Sequence, residues 1–324
     1  MLVLSKSDVS KAVEIADVIA VVEEAQRMLG LGQAVNSSIY SLFAGVDPTI
    51  LPEIHGNFQY FSAYIGGDMN AEGIASSASC VENPARFGLP YAVGLQLIND
   101  ITTGVPLAIM ERLRLTELVT PAFSAVGAKY LANDGPQTVG IIGCGNQGRT
   151  HLQAFAELFD IEAVKAFDAH PDILDKYIAE MTADTGLTIA PTENAEEAIR
   201  AADIAAIAIN PCKHIVKYDW IKPGAVIIAL SGFGCELDRD DVYPRIDRVV
   251  IDSAENLELL QSRTDIKYVT QLAEIVAEGK SCREDESEKI VFVHSGMAVN
   301  HVAAGHLVYR QAVEKGIGTE VEIL

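Results

Sequence analysis

Three glycines, Gly143, Gly145 and Gly148, stand at a spacing that suits the binding of a pyrophosphate. They follow five residues of strand character, 138–142, and precede a segment with helical periodicity. In a strand–turn–helix arrangement, the first glycine permits a sharp turn, the second lets the backbone approach the phosphates, and the third lets helix and strand pack closely. The helix amino terminus then faces the phosphate charge. This stretch predicts a dinucleotide-binding loop.

An acidic residue, Asp168, ends the next predicted strand, 25 residues after Gly143. This is close to the spacing of about 20 at which such folds place an acid on the adenosine ribose hydroxyls. A carboxylate there repels a ribose 2′-phosphate, and the following residues, Ala169-His170-Pro171, include no Arg to receive one. The pattern predicts NAD(H) rather than NADP(H) as cofactor. The alternative is an ordinary turn, with Asp168 capping the next helix.

The composition is that of a folded protein with a strongly acidic balance. The 324 residues suit two domains or one large one, and 49% are hydrophobic while 21% are charged. The net charge of −21 and the pI near 4.6 exclude nucleic acid as an expected partner, because phosphate binding needs clustered Lys and Arg. An anionic substrate therefore needs a locally basic pocket.

The amino terminus and the cysteines predict a cytoplasmic protein. No apolar run reaches the roughly 18 residues that span a bilayer, and residues 1–14 alternate apolar with polar side chains, so no membrane partner is expected. The five cysteines never form a C-x-x-C pair, which predicts free thiols in a reducing compartment. The seven histidines show no metal-ligand spacing, so no metal is expected.

Helix and strand alternate from Thr138 onward, which is typical of a doubly wound parallel sheet. Before it, residues 7–30 have the periodicity of one amphipathic helix, and 36–104 alternate short apolar runs with Gly, Pro and Asn, which predicts strands and turns. A helix over 116–131 leads into the glycine loop. The last helix, near 297–313, and the terminal residues are expected to return to the first domain.

Several short segments share an order and spacing that is specific in combination. They are ENPARFGLP at 82–90, TTGVPLAIM at 102–110, LTELVTPAFSAVGAKYLA at 115–132, VGIIGCGNQG at 139–148, AADIAAIAI at 201–209, ELD at 236–238, and SGMAV with a later VY near the end. Along nearly its whole length the chain thereby resembles the ornithine cyclodeaminase/μ-crystallin family. Members of that family move a hydride between nicotinamide and the α-carbon of an amino acid or imine.

The resemblance implies a Rossmann-type doubly wound parallel sheet plus an α+β substrate-binding and dimerisation domain. We expect residues 1–118, with the carboxyl-terminal 300–324, to form the substrate-binding and dimerisation domain, and residues 119–299 to form the NAD-binding domain. Nucleotide contacts are implied for the three loop glycines and for a further set: Thr120, Asn146, Gln147, Asp168, Asn210 and the backbone of Ala229 and Leu230.

Four ionisable positions of the family site are altered together. Ala75 stands where cyclodeaminases place a Lys, and Val119 stands where they place an Arg; both cations would hold the substrate α-carboxylate. Phe233 occupies the position of the family's catalytic Asp, and His301 replaces the Asp of the final helix. The combination predicts a changed substrate or a lost activity.

Three residues are candidates for a replacement catalytic site. Arg86, in the loop 83–88, can present a cation to a carboxylate, although a solvated loop Arg fits equally well. His55 can supply the acid/base function, because imidazole titrates near neutrality; the alternative is a turn residue beside a glycine. His301 can approach the nicotinamide or the substrate, and helix capping and interface roles compete with this interpretation.

Substrate contacts are expected from three further residues. Gln59 falls in the strand region where the family lines its pocket. Arg112 can reach toward the place of the missing Arg, unless it forms a solvated pair with Arg114. Ser231 follows a predicted strand, at the edge where doubly wound sheets bind ligands.

These expectations combine into an NAD(H)-dependent oxidoreductase that acts on a C–N bond of a small α-amino or α-imino acid. It would be an imine or ketimine reductase or an amino-acid dehydrogenase, and a homodimer as in the family. One alternative is ornithine cyclodeaminase, which forms proline and ammonia while bound NAD⁺ is reduced and reoxidised. The missing Lys, Arg and Asp count against it. The other alternative is a non-catalytic member that binds NAD or another ligand.

Overall fold

Two units, each built around its own sheet, make up the chain. The computed structural model describes residues 1–44, 56–80, 82–209, 213–230, 234–253, 260 and 266–323. The first unit comprises Met1–Val119 with Met297–Leu324, and the second comprises Thr120–Gly296. The roles of these units in substrate binding, dimerisation and cofactor binding stay predictions.

Each sheet contains eight strands of the described residues. The first-unit strands are β1 (Leu2–Leu4), β2 (Ala34–Asn36), β3 (Tyr40–Ala44), β4 (Gly56–Ile65), β5 (Ala71–Cys80), β6 (Ala92–Asn99), β7 (Pro106–Glu111) and β16 (Thr319–Glu320). The second-unit strands are β8 (Gln137–Ile142), β9 (Ile161–Phe167), β10 (Ile189–Pro191), β11 (Ile204–Ile207), β12 (Val226–Ala229), β13 (Arg248–Ile251), β14 (Val269–Gln271) and β15 (Ile290–Val293).

The helices connect and cover these strands. They are α1 (Lys6–Ala12), α2 (Ile15–Gly30), α3 (Arg112–Leu131), α4 (Asn146–Leu158), α5 (Pro171–Thr185), α6 (Ala195–Ala201), α7 (Arg239–Val242), α8 (Leu272–Glu278) and α9 (Ala298–Lys315), with a π-helical turn at Asn83–Phe87 and a 3₁₀ turn at Tyr218–Trp220. In the part of the chain that the structure describes, no helix is both long enough and apolar enough to cross a membrane.

The second sheet is parallel throughout and has the order β10-β9-β8-β11-β12-β15-β13-β14. Its central strands are buried along their length, as in Val226–Ala229 and Ile290–Val293, because helices cover a parallel sheet on both faces. The strand order reverses between β8 and β11, and doubly wound sheets bind ligands at the carboxyl ends of strands beside such a reversal. The expected fold class is confirmed.

The first sheet has the order β16-β1-β7-β6-β5-β4-β2, and β3 also pairs with β4. Helix α9 packs on one face of β4, β5 and β6 and against α2. Gly305 permits this close approach, because a Cβ there would lie 3.1 Å from the Gln96 Cγ and from the Ile98 Cδ1. We call the face that α9 covers the inner face of this sheet.

The segment predicted as one helix over 7–30 forms two helices. Ser5 begins the first, where its hydroxyl accepts from the Asp8 N–H. Val13 is extended, and the Glu14 N–H then donates to the Asp17 carboxylate as the second helix starts. Each capping box starts a helix of its own, which the apolar periodicity alone does not reveal.

The cysteines differ from the expectation in one place. Cys235 is disulfide-bonded, so the prediction of free thiols is wrong there. Cys80, Cys144 and Cys282 are free. A disulfide depends on proximity in the folded chain, which spacing along the sequence does not give. Burial, with a contribution from the Asp168 carboxylate, raises the pKa of the Cys144 thiol to about 12, so this loop thiol is neutral at pH 7.

Candidate active site

Two of the loop glycines are required by the packing of the protein itself. Gly143 has φ +95°, and a Cβ there would lie 2.4 Å from the Ala208 carbonyl oxygen. A Cβ on Gly148 would lie 2.2 Å from the Gly143 carbonyl oxygen. Neither position has room for a side chain, so the tight turn and the close contact between strand and helix both depend on glycine.

The second loop glycine has no such packing reason. Gly145 has an ordinary φ of −75°, and a Cβ there would meet no atom of a described residue within 4 Å. The residue is exposed and is the N-cap of α4, whose first-turn N–H groups have no partners within the helix. An open approach to the backbone at a helix amino terminus fits a pyrophosphate, so the residues present fit a dinucleotide.

Asp168 is held against the glycine loop by backbone hydrogen bonds. The Cys144 N–H donates to the Asp168 Oδ2 at 2.8 Å, and the His170 N–H donates to its Oδ1 at 2.9 Å. The carboxylate forms no ion pair with any residue that the structure describes. It therefore presents an uncompensated negative charge at the place expected for the adenosine ribose.

Replacing Asp168 with Asn is expected to lower the preference for NADH over NADPH about tenfold, because the charge that repels a 2′-phosphate is removed. The Asn side-chain oxygen can still accept from the Cys144 N–H, so the loop keeps its support. The ratio of kcat/KM for the two cofactors measures the effect. Asp172→Asn, in the first turn of α5, is the matched control and should leave the ratio unchanged. An unaltered ratio in Asp168→Asn would refute this role.

The carboxyl end of β12 is another place expected to contact the nucleotide. Ala229 ends this strand and is buried, and its carbonyl accepts from the His294 N–H at 3.0 Å. Leu230 follows and is half-buried. The strand therefore ends at the edge where doubly wound sheets bind ligands, and the contacts themselves stay predictions.

The remaining nucleotide candidates are placed as follows by the structure. Asn146 and Gln147 open α4, and the Gln147 Oε1 is buried with no partner among the described residues. Thr120 lies within α3, one helical turn before Ser124. Asn210 lies outside the described residues. Their contacts with a nucleotide stay predictions.

In the first unit the fold brings Arg112 and His301 together. Arg112 is the first residue of α3, directly after β7, and its Nη2 lies 3.2 Å from the His301 Nε2. Its guanidinium carbon lies 4.7 Å from the centroid of the Phe61 ring, in a cation–π contact. The end of β7, Phe61 of β4 and His301 of α9 thus fix one cation at the inner face.

The nearest acid is already occupied and does not neutralise Arg112. The Glu111 carboxylate accepts from the Leu113 N–H at 2.6 Å and from the Arg114 N–H at 2.8 Å, so it caps the start of α3. Arg114 pairs instead with Glu117 at 3.3 Å. Arg112 forms no ion pair within the described parts of the chain, and its Nε is buried without a hydrogen-bond partner. The expected alternative, a solvated Arg112–Arg114 pair, does not fit these contacts.

The chemistry of the contact determines the tautomer of His301. A guanidinium only donates, so the His301 Nε2 accepts and its proton lies on Nδ1. His301 is 2% exposed, and burial together with the Arg112 charge lowers its pKa well below the usual value near 6.5. The ring is therefore neutral at pH 7. This favours His301 as a residue that positions Arg112 over the acid/base role expected from the sequence.

Burial also lowers the pKa of Arg112, to about 10, which leaves the guanidinium charged at neutral pH. A partly buried charge without a counter-ion is costly, by several kcal/mol when it is fully desolvated. An anionic ligand that pairs with the guanidinium would offset this cost. The arrangement can therefore bind a carboxylate.

The other first-unit candidates lie elsewhere. The Arg86 side chain is 62% exposed and pairs with Glu82 at 3.1 Å, so it shares no contact with Arg112. Gln59 lies on β4, where its Nε2 is 3.4 Å from the Ser41 Oγ. His55 lies outside the described residues, as does Ser231 of the second unit. The roles of these residues stay predictions.

The sequence pattern does not identify Phe61 as part of this site. In the register of the sheet, Phe61 pairs with Ala75 and Ala75 pairs with Gln96, so these residues form one row across β4, β5 and β6. The alternation of β4 places Phe61 on a buried face, but only the pairing of strands places it beneath Arg112. Ala75, where the family has a Lys, is small and 1% exposed.

Comparison with known proteins decides the family. The model of the ornithine cyclodeaminase/mu-crystallin family matches residues 1–316. The chain belongs to this family. The resemblance read from the segment order is therefore confirmed over almost the whole chain.

Several known proteins are similar to this chain over its full length. The Δ1-pyrroline-2-carboxylate reductase of Thermococcus litoralis, solved with NADH and L-proline, is 32% identical with a TM-score of 0.88, and the match covers 99% of this chain and 100% of that one. An archaeal alanine dehydrogenase dimer with bound NAD is 29% identical with a TM-score of 0.88, covering 100% and 99%. The alanine dehydrogenase of Archaeoglobus fulgidus is 29% identical, covering 99% and 98%.

Proposed function

We propose that this chain is an NAD(H)-dependent oxidoreductase that acts on the C–N bond of a small α-amino or α-imino acid, as an imine reductase or an amino-acid dehydrogenase. The observation that carries the proposal is Arg112, a partly buried cation without a counter-ion among the described residues, in a chain that also has an intact dinucleotide loop. The reaction needs a site for an amino-acid carboxylate and a site for a dinucleotide, and the chain offers a candidate for each.

Arg112 binds the substrate carboxylate in this proposal. The Phe61 ring supports one face of the guanidinium, and the His301 Nε2 accepts from Nη2, so the plane of the group is held before substrate arrives. Nη1 makes no hydrogen bond to a described residue and can donate to the carboxylate. A planar guanidinium held in this way binds a carboxylate at a fixed angle.

Gly145, the first turn of α4 and Asp168 would hold NAD(H), which supplies or accepts the hydride when bound. Gly145 leaves space for the pyrophosphate, and the α4 amino terminus provides N–H donors. Asp168 accepts from the ribose hydroxyls and excludes a 2′-phosphate. The relatives solved with NAD or NADH support this choice of cofactor.

The function is tested by the change in NADH absorbance on addition of substrate. One panel combines 2-oxo acids with ammonia or methylamine and includes preformed cyclic imino acids; the reverse panel combines amino acids with NAD⁺. NADH oxidation that requires both an oxo acid and an amine supports the proposal. Proline and ammonia from ornithine without net NADH would establish the cyclodeaminase instead. Tight NADH binding without turnover across both panels would establish a non-catalytic binder.

We also propose that the chain forms a homodimer through the outer face of the first sheet, opposite the inner face that α9 covers. The exposed large apolar side chains of this face include Tyr40, Leu42, Tyr60, Ile74, Val93 and Leu95. Tyr40 pairs with Tyr60, and Ser76 pairs with both Tyr60 and Leu95. One row of side chains therefore runs across this face from β3 to β6. Large contiguous apolar patches mark interfaces, and the archaeal alanine dehydrogenase relative is a dimer.

Replacing Leu95 with Glu is expected to convert the dimer to a monomer at micromolar concentration, because each copy would bury a charge within the patch. Leu95 is 50% exposed in the single chain, so the change costs the fold itself little. Light scattering after size exclusion measures the mass. Val313→Glu, 58% exposed on α9, is the matched control and should remain dimeric. A dimeric Leu95→Glu protein would place the interface elsewhere.

A further inference from the structure

Three fully buried polar side chains of the second unit form a continuous hydrogen-bond chain. The Ser124 Oγ lies 2.8 Å from the His151 Nε2 and 2.8 Å from the His294 Nε2. The His151 Nδ1 lies 2.7 Å from the Gln147 carbonyl oxygen. Ser124, His151 and His294 are each 0% exposed. We call these three residues the buried hydrogen-bond chain.

Each proton in the chain can be assigned. A carbonyl only accepts, so the His151 Nδ1 carries a hydrogen and its Nε2 is an acceptor. The Ser124 hydroxyl must then donate to His151, and its oxygen accepts from the His294 Nε2–H. Burial lowers the pKa of His151 to about 4 and that of His294 to about 3, so both rings stay neutral at pH 7. Each hydrogen bond in the chain is therefore donated in the same direction, from His294 through Ser124 and His151 to the Gln147 carbonyl.

The two ends of the chain lie at parts of the sheet edge that the nucleotide is expected to use. Gln147 belongs to the glycine loop and the first turn of α4. His294 directly follows β15, and its N–H donates to the Ala229 carbonyl at the end of β12. The His294 ring is fixed between Phe123, at a centroid distance of 4.9 Å, and Phe292, at 4.8 Å. Side-chain hydrogen bonds thus connect the first turn of α4, through Ser124 of α3, to His294 at the end of β15.

A buried chain of polar side chains stabilises a core less than apolar side chains would. Apolar side chains of similar size would pack there without the desolvation of three polar groups, and the His294 Nδ1 has no partner among the described residues. Hydrogen bonds, unlike apolar contacts, fix direction and distance. The arrangement therefore favours precise placement of the Gln147 carbonyl over stability alone.

We infer that Ser124, His151 and His294 are positioning residues that hold the first turn of α4 in the geometry required for dinucleotide binding. The inference rests on the proposed function, since it assumes that the glycine loop binds NAD(H). The three residues need not touch the nucleotide. They act through Gln147, whose carbonyl they fix, and through the loop N–H groups beside it.

Ser124→Ala removes the central link of the chain with the loss of one oxygen. We expect the Kd for NADH to rise about tenfold and the KM for NADH to rise with it, while kcat at saturating NADH stays within twofold of the wild type. Val126→Ala, fully buried on the same helix, is the matched control: it lowers the melting temperature by loss of packing but should leave the Kd for NADH unchanged. NADH fluorescence titration and differential scanning fluorimetry give the two readouts.

A second variant keeps the test decisive if Ser124→Ala does not fold. His294→Phe preserves the ring contacts with Phe123 and Phe292 but removes the donor, and the Kd for NADH should rise about threefold. A folded variant of either kind that binds NADH as the wild type does would overturn the inference. So would an equal rise in the Kd for Val126→Ala. Failure of the wild type itself to bind NADH would overturn the proposed function along with it.

Discussion

Replacing Arg112 with Ala is expected to lower kcat/KM for the amino- or imino-acid substrate by a factor of about 100 to 1,000. Loss of two charge-assisted hydrogen bonds costs about 3 to 4 kcal/mol, and each 1.4 kcal/mol corresponds to a factor of ten. The effect should fall mainly on the KM for substrate, because carboxylate binding is shared by ground state and transition state. Steady-state kinetics at saturating NADH, with the Kd for NADH measured alongside, check the result.

Arg114→Ala is the matched control for Arg112→Ala. Arg114 lies two residues away on the same helix, and its charge is already paired with Glu117. Its loss should change kcat/KM by less than about threefold, because Lys6 still pairs with the buried Glu117 carboxylate at 3.2 Å. Equal losses in the two variants would show that the local charge, rather than the position of Arg112, matters. Full activity in Arg112→Ala would remove Arg112 as the carboxylate anchor.

A cation placed on β5, at the position where the family has a Lys, should restore part of the activity that Arg112→Ala loses. In the double variant Arg112→Ala/Ala75→Lys, the ammonium would stand on β5, in the same row as Phe61. We expect about a tenfold recovery of kcat/KM over Arg112→Ala, because a Lys holds a carboxylate as a point charge without the planar geometry of Arg. Ala75→Lys alone should be destabilised, since it would bring two like charges to one partly buried site.

Gly145→Ala is expected to raise the Kd for NADH at least tenfold while the melting temperature stays within about 2 °C of the wild type. The free protein has room for the methyl group at this ordinary φ, so folding is scarcely affected. The same methyl would stand between the backbone and the pyrophosphate and would lengthen the N–H contacts. Fluorescence titration with NADH and thermal unfolding measure the two quantities separately.

Gly148→Ala, in contrast to Gly145→Ala, is expected to lower the stability of the fold. Its Cβ would lie 2.2 Å from the Gly143 carbonyl oxygen, a backbone atom that cannot move away without shifting the turn. We expect a loss of at least about 2 kcal/mol in the free energy of unfolding and a fall of roughly 5 °C in melting temperature. If Gly145→Ala were as unstable as Gly148→Ala, the second glycine would be a packing residue and not part of a ligand site.

The family, the fold class and the kind of cofactor could be predicted from short segments alone. A glycine loop works through contacts between residues a few positions apart, so Gly143, Gly145 and Gly148 define the turn by their spacing. Asp168 follows because the strand after the loop helix must end beside the loop in a parallel sheet, and its carboxylate does accept from the Cys144 N–H. The break between the two helices at Val13 could not be predicted from apolar periodicity, because that periodicity continues through it. The break is set by the capping residues that start each helix.

The candidate carboxylate anchor could not be predicted from the sequence in the same way. Arg112 and His301 were both named as candidates, but nothing in their positions said that they meet, since 189 residues separate them. The partner that orients Arg112 from below, Phe61, comes from a third segment. Arg86 and Arg112 were equally plausible cations from their residue type, and only burial and ion pairing distinguish the exposed Arg86 from the unpaired Arg112.

By itself, therefore, the sequence determined the glycine loop, the acid that follows it, the alternation of elements and the family. These depend on interactions that are local along the chain or repeat with a fixed period. Only the tertiary structure decided which cation has no counter-ion among the described residues, which tautomer His301 adopts, and that Ser124 joins His151 to His294 across separations of 27 and 170 residues. Strand register and helix packing bring such groups together, and both arise from the burial of apolar faces over the whole unit rather than from any short motif.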